Sequence, residues 1–136
     1  MGPDSTCLKE RFVEIDLEHL LTMAGGDPEL ADEVLDIFRN QAETWGRMLD
    51  AKLPPQQWAD AAHTLKGAAL SIGAHAFAET CKTAETLGRS GTASAVQGAT
   101  AISDVKTGLA QTIEACARAS YELSKPGLRA SKAANS

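Results

Sequence analysis

The feature that most constrains this chain is one helical period held over twenty residues. Leu30, Val34, Leu35, Phe38, Ala42, Trp45, Met48 and Leu49 recur at spacings that gather them on one face of a helix. A strand would divide the same residues between two faces. The start is marked by Asp27, whose carboxylate suits an N-cap, followed by Pro28, which the first helical turn tolerates best. Pro54 and Pro55 are expected to stop it.

The same spacing recurs on both sides. Upstream, Asp16 can cap a helix of about two turns carrying Leu17, Leu20, Leu21 and Ala24, ended by Gly25 and Gly26. Downstream, a helix from about 56 to 72 carries Trp58, Ala62, Leu65, Ala69 and Ile72, and Gly73 marks its end. A fourth, from about 75 to 87, repeats Phe77, Cys81, Ala84 and Leu87 before a break at Gly88 to Gly91. The last carries Val96, Ile102, Val105, Leu109, Ile113, Cys116, Ser120 and Leu123, with Gly98 and Gly108 inside it where helices could approach.

No stretch alternates apolar and polar residues with β-branched enrichment, and aromatic residues are only 4 %, which leaves no signal for a sheet. The expected fold is all-α: an antiparallel four-helix bundle with a short extra N-terminal helix. Its expected limits are a partly ordered segment over 1–14, the bundle over 15–124 and a flexible tail over 125–136.

Charge and motifs narrow the function. Thirteen Lys plus Arg against 18 Asp plus Glu give a net charge of -5, which argues against nucleic acid and an anionic membrane surface and favours a protein partner. Cys7, Cys81 and Cys116 have no CxxC spacing, so no disulfide framework or zinc site is indicated. There is no apolar run of about 18 residues and no signal-peptide pattern, so a cytoplasmic setting is expected. The start MGPDST fits a myristoylation pattern at Gly2 and Thr6, but Pro3 weakens it. The Gly-rich phosphate loop, the GxSxG elbow and HExxH are all missing.

The candidate site is AAHTLKGAALSIGA, residues 61–74. At about 100° per residue, Ala62, Leu65, Ala69 and Ile72 lie within about 40° of Trp58, whereas His63 lies about 140° away and faces outward. Gly67 falls about 180° from Trp58 and Leu70 about 120°, with Asp60 and Lys66 one turn before and after His63. An exposed imidazole has a large neutral fraction near neutral pH and can accept a group covalently, a phosphoryl group being the obvious one. Lys66 would offer charge to phosphoryl oxygens. A mid-helix glycine costs roughly 0.5 to 1 kcal/mol against alanine, so Gly67 implies a benefit such as access for a partner. A core role for His63 is disfavoured by its angle, and a metal role by the distant sequence positions of His19 and His75. Those two read as surface or capping residues; Cys81, Cys116, Trp45 and Trp58 read as core.

HTLKGAALSIGA followed by FAETCKTAETL resembles the histidine-containing phosphotransfer domain: a histidine, an apolar residue two later, Lys-Gly, then a glycine about ten past the histidine. Here these are His63, Leu65, Lys66, Gly67 and Gly73. The similarity extends upstream to the Gly-Asp-Pro-Glu helix start and downstream to Cys81 and Glu85. It implies a phosphoryl carrier rather than an enzyme. His63 would take the group on Nε2 from a hybrid histidine kinase or a response-regulator receiver domain and pass it to a receiver aspartate. Mg²⁺ would sit on the receiver, so this chain would need no cofactor or metal. Ala59, Asp60, Thr64, Gly67, Leu70 and Ser71 would form the docking surface, and Leu70 departs from the small residue many members carry there. A monomer is expected, with no nucleic acid or membrane partner. The alternatives are a helical docking module that accepts no phosphate, and a fragment of a larger kinase.

Overall fold

The computed structural model describes residues 15–126, all of whose regular structure is helical. The expectations for 1–14, for Cys7 and the Gly2 motif, and for 127–136 lie outside the described residues. The helices are α1 (Leu17–Met23), α2 (Pro28–Gly46), α3 (Pro55–Ser71), α4 (His75–Ser90) and α5 (Ala95–Leu123).

Local chemistry sets most of the boundaries. The Asp16 side chain accepts from the His19 backbone N–H, capping α1. Asp27 Oδ1 accepts from the N–H groups of Glu29 and Leu30, and Pro28 occupies the first turn of α2. Ser94 and Gln97 form a reciprocal capping box at the start of α5. Gly73 turns α3 into α4 with φ +75, and a Cβ there would lie 2.9 Å from both Cβ and carbonyl O of Asp16. Glycine is required at that point by backbone conformation and by the close approach of the α1 N-terminus, whose Asp16 N–H donates to Gly73 O at 3.1 Å.

Two boundaries differ from expectation. Helix α2 ends at Gly46 rather than at the prolines, and Leu49 is buried from the connection that follows. An Asp50 turn, in which Oδ1 accepts from the Lys52 N–H, carries the chain to Pro54, and Pro55 opens α3. Helix α4 runs through Gly88 to Ser90 and is closed by Gly91 in the left-handed region.

The four long helices pack in chain order, α2 on α3, α3 on α4, α4 on α5, with α5 closing on α2. Contacts between opposite ends show the antiparallel sense. Arg89 at the end of α4 reaches Gln56 at the start of α3, and Ser120 late in α5 donates to Asp32 early in α2 at 2.6 Å. The core is Leu35, Phe38, Leu65, Phe77, Val105 and Cys116 with their neighbours, and Phe38 meets Phe77 edge to face at 6.4 Å. Gly98 and Gly108 are contact points: added Cβ atoms would lie 3.4 Å from the Trp58 ring and 2.9 Å from the Phe77 ring. Leu30, Val96 and Ile113, placed on apolar stripes by periodicity, are 44 %, 75 % and 39 % exposed. At about 100° per residue Leu30 lies about 140° from the buried Leu35 and Val96 about 180° from the buried Val105, so both point away from the core, and Ile113 lies at the edge of its stripe. Thr112 is buried instead, its hydroxyl donating to Gly108 O at 2.7 Å.

Candidate functional site

Helix α3 presents His63 outward, with a side chain 60 % exposed, while Ala62 and Leu65 on either side are fully buried. Helix α4 runs along one flank and contributes the group that organises the site. Glu85 accepts from Lys66 Nζ through Oε1 at 2.8 Å and meets His63 Nδ1 through Oε2 at 2.8 Å. Its side chain is 16 % exposed, so the two contacts are sheltered from water. The Lys66 ammonium holds the Glu85 carboxyl below the usual range; partial burial opposes this, and His63 reinforces it. Glu85 is therefore a carboxylate at neutral pH and can only accept. A neutral His63 then carries its proton on Nδ1, leaving the Nε2 lone pair free. Among the described residues no group hydrogen-bonds Nε2.

The remaining site residues divide by environment. A Cβ on Gly67 would meet no heavy atom within 4 Å, so no neighbouring helix demands this glycine. Its carbonyl accepts from Ser71 Oγ at 3.1 Å, and Ser71 is exposed. Thr64 is half-buried and Leu70 is 47 % exposed. Asp60 is exposed and paired to Arg89 Nη1 at 2.7 Å.

Ala59 is a correction: expected on the docking surface, it is fully buried. At about 100° from Trp58 it lies on the flank that α4 covers, and Gly88 brings α4 close there. A Cβ on Gly88 would lie 2.8 Å from both the Ala59 Cβ and the Trp58 ring. Two small residues meet at this crossing, and neither faces solvent.

The other histidines hold α1 in place. His19 Nε2 donates to the Leu70 carbonyl at 3.0 Å, a second bond to an acceptor that the Gly73 N–H also reaches at 3.2 Å. His75 Nε2 lies 3.5 Å from Asp16 Oδ2, and the two imidazoles meet edge to face at 5.5 Å. No group of three or more His, Cys, Asp or Glu among the described residues is arranged to hold a metal ion. Burial pushes the thiol of Cys81 up to about 12 and that of Cys116 up to about 11, so both pack as protonated core residues.

The Hpt domain family model matches residues 29–120, which takes in α3, α4 and nearly all of α2 and α5. The chain belongs to the Hpt domain family. This Hpt domain is also similar to the crystal structure of histidine phosphotransferase ShpA from Caulobacter crescentus. The two are 35 % identical with a TM-score of 0.63, over 79 % of this chain and 91 % of that one. Comparison with curated proteins gave no match. The function is accordingly phosphotransfer within a phosphorelay, in a family of phosphoryl carriers that interact with receiver domains of two-component systems. No helix among the described residues is long and apolar enough to cross a membrane.

Sequence reasoning placed Glu85 within the resemblance but assigned it no task, and did not single out Arg89. The available signal was a carboxylate directly after Ala84 on the α4 stripe, a position where an unpaired charge would be costly. Its partners lie 19 and 22 residues away, and only the α3–α4 packing brings them together.

Proposed function

We propose that His63 is the phosphoacceptor of this Hpt domain and that Nε2 is the reacting atom. The observation that carries the reading is the Glu85 contact to Nδ1, which leaves Nε2 as the outward nucleophile. The Nε2 lone pair attacks phosphorus of a receiver aspartyl phosphate. As the N–P bond forms, the P–O bond breaks and its electron pair leaves with the aspartate carboxylate. The Nδ1 proton stays in place, and the positive charge that develops on the ring faces Glu85, a preorganised counter-charge. Return transfer to another receiver aspartate reverses these steps.

Lys66 supplies the nearby ammonium for phosphoryl oxygens, and Gly67 leaves room for the incoming domain. Asp60, Thr64, Leu70 and Ser71 form the docking rim, without Ala59. Response-regulator receiver domains and a hybrid histidine kinase are the partners, and the carrier acts as a cytoplasmic monomer without a cofactor of its own. Mg²⁺ belongs to the receiver, where it would neutralise phosphoryl charge.

The test is incubation of the purified chain with a phosphorylated receiver or kinase. An acid-labile, base-stable label is expected on the wild type and none on His63→Ala. Label that survives His63→Ala would sink the assignment.

A further inference from the structure

Beside the reacting histidine lies a second charge cluster that the transfer step does not use directly. Arg89, near the end of α4, puts Nη1 2.7 Å from Asp60 Oδ1 and 2.7 Å from Gln56 Oε1. Its Nη2 lies 3.9 Å from Glu85 Oε2, the oxygen that also meets His63. Arg89 therefore stands between the two carboxylates closest to His63 along α3 and α4: Asp60, three residues earlier on α3, and Glu85 across the helix pair.

The charge arithmetic gives this position a purpose. A phosphoryl group on nitrogen is strongly anionic at neutral pH, like the phosphate esters of modified side chains. With Lys66 alone, the ring of charges around it would be one cation against two carboxylates; Arg89 makes it two against two. Lys66 cannot serve phosphoryl oxygens fully while it is bound to Glu85 at 2.8 Å. If it turns toward them, Glu85 loses its main cationic partner, and Arg89 is the cation within reach to replace it.

Resting on the assignment of His63 as acceptor, we propose that Arg89 is a positioning residue for phosphotransfer. It masks Asp60 from the incoming phosphoryl group and takes over Glu85 when Lys66 turns to that group. Arg89 touches neither His63 nor the transferred group, and acts through the two carboxylates. Its side chain is 39 % exposed, so replacing it removes charge from the surface rather than volume from the core.

The experiment measures second-order rates of transfer from a phosphorylated receiver to the full chain across a salt series. Arg89→Gln should slow transfer on the order of fivefold at low salt, with the deficit shrinking as salt screens the exposed carboxylate. Arg89→Lys, which keeps the charge, should recover most of the rate. Because Asp60 is itself on the docking rim, Arg89→Gln is also made in an Asp60→Asn background and scored against Asp60→Asn alone. The further loss should be smaller there, since no carboxylate is left to unmask, whereas a lost structural tie would cost the same in both backgrounds. Arg89→Gln transfer at the wild-type rate would overturn the proposal while leaving the His63 assignment intact. So would a deficit that neither salt nor Asp60→Asn relieves. A wild-type chain that takes no label would overturn both.

Discussion

At Gly67 an added Cβ meets nothing, whereas at Gly88 the same atom would strike Ala59, Trp58 and the Pro55 carbonyl. The two glycines, both inside helices, answer to different pressures. Gly67→Ala should stabilise the fold by roughly 0.5 to 1 kcal/mol, the ordinary helix-propensity gain, because no packing term opposes it. Transfer to and from a receiver should nonetheless slow, since the methyl projects one turn beyond His63 on the exposed side. Chemical denaturation and transfer kinetics on the same variant separate the two effects. A Gly67→Ala protein that is more stable and equally fast would show that the open space serves no partner. A comparable division applies to His63 and Glu85: the first is exposed and free at Nε2, the second sheltered and committed at both oxygens. Reactivity needs the former and orientation needs the latter.

At the scale of elements, the site belongs to the α3–α4 pair rather than to α3 alone. The close approach at Gly88 lets α4 run alongside α3 with Glu85 level with His63 and Lys66. Gly88→Ala would force a methyl to within 2.8 Å of the Trp58 ring and 2.9 Å of a backbone carbonyl, neither of which is the end of a flexible side chain. Overpacking of this kind costs about 1 to 3 kcal/mol and outweighs the roughly 0.5 to 1 kcal/mol gained in helix propensity, so net destabilisation is expected. A lower thermal midpoint, with slower phosphotransfer measured well below that midpoint, is the expected pair of results. An unchanged midpoint would mean that the helices can separate here at no cost. The same crossing explains why Ala59 left the docking surface. Its angle on α3 is close to that of Leu70, yet Leu70 is 47 % exposed and Ala59 fully buried, so the same side of α3 is covered at one end and open at the other.

For the whole molecule, the Glu85 contacts link stability to pH. Its folded pKa lies below the ordinary carboxylate value, chiefly through Lys66, so its contribution is fully present above the unfolded value and is lost as pH falls through the folded one. Glu85→Gln should therefore be less stable than wild type near neutral pH, with the gap closing as pH drops below about 4. Thermal unfolding of both proteins between about pH 3 and pH 7 measures that gap, and Asp16, whose pKa is also lowered, cancels in the difference. A gap independent of pH would mean that Glu85 contributes packing rather than charge.

Helix number, all-α class and the outward direction of His63 were legible in the sequence because each depends on spacing along a single helix. The same holds for the Asp16 and Asp27 caps, which join residues two or three apart. The end of α2, the exposure of Leu30, Val96 and Ile113, and the burial of Ala59 were not legible. The end of α2 and the burial of Ala59 depend on whether another helix lies over a given angle, which a single-helix period does not say. Leu30 and Val96 follow spacings of three and four locally but lie about 140° and 180° from the buried residues Leu35 and Val105 of their own helices, and Ile113 is at a stripe edge. The choice of which imidazole nitrogen is held, and by whom, was likewise decided only in three dimensions. Glu85 and Arg89 reach α3 across contacts of 19 to 33 residues in sequence, which exist only because two amphipathic helices bury their faces against each other. The chain by itself determined where an outward-facing histidine would stand; the packing of α4 on α3 decided which of its ring nitrogens is held, because a hydrogen bond needs both partners within about 3 Å.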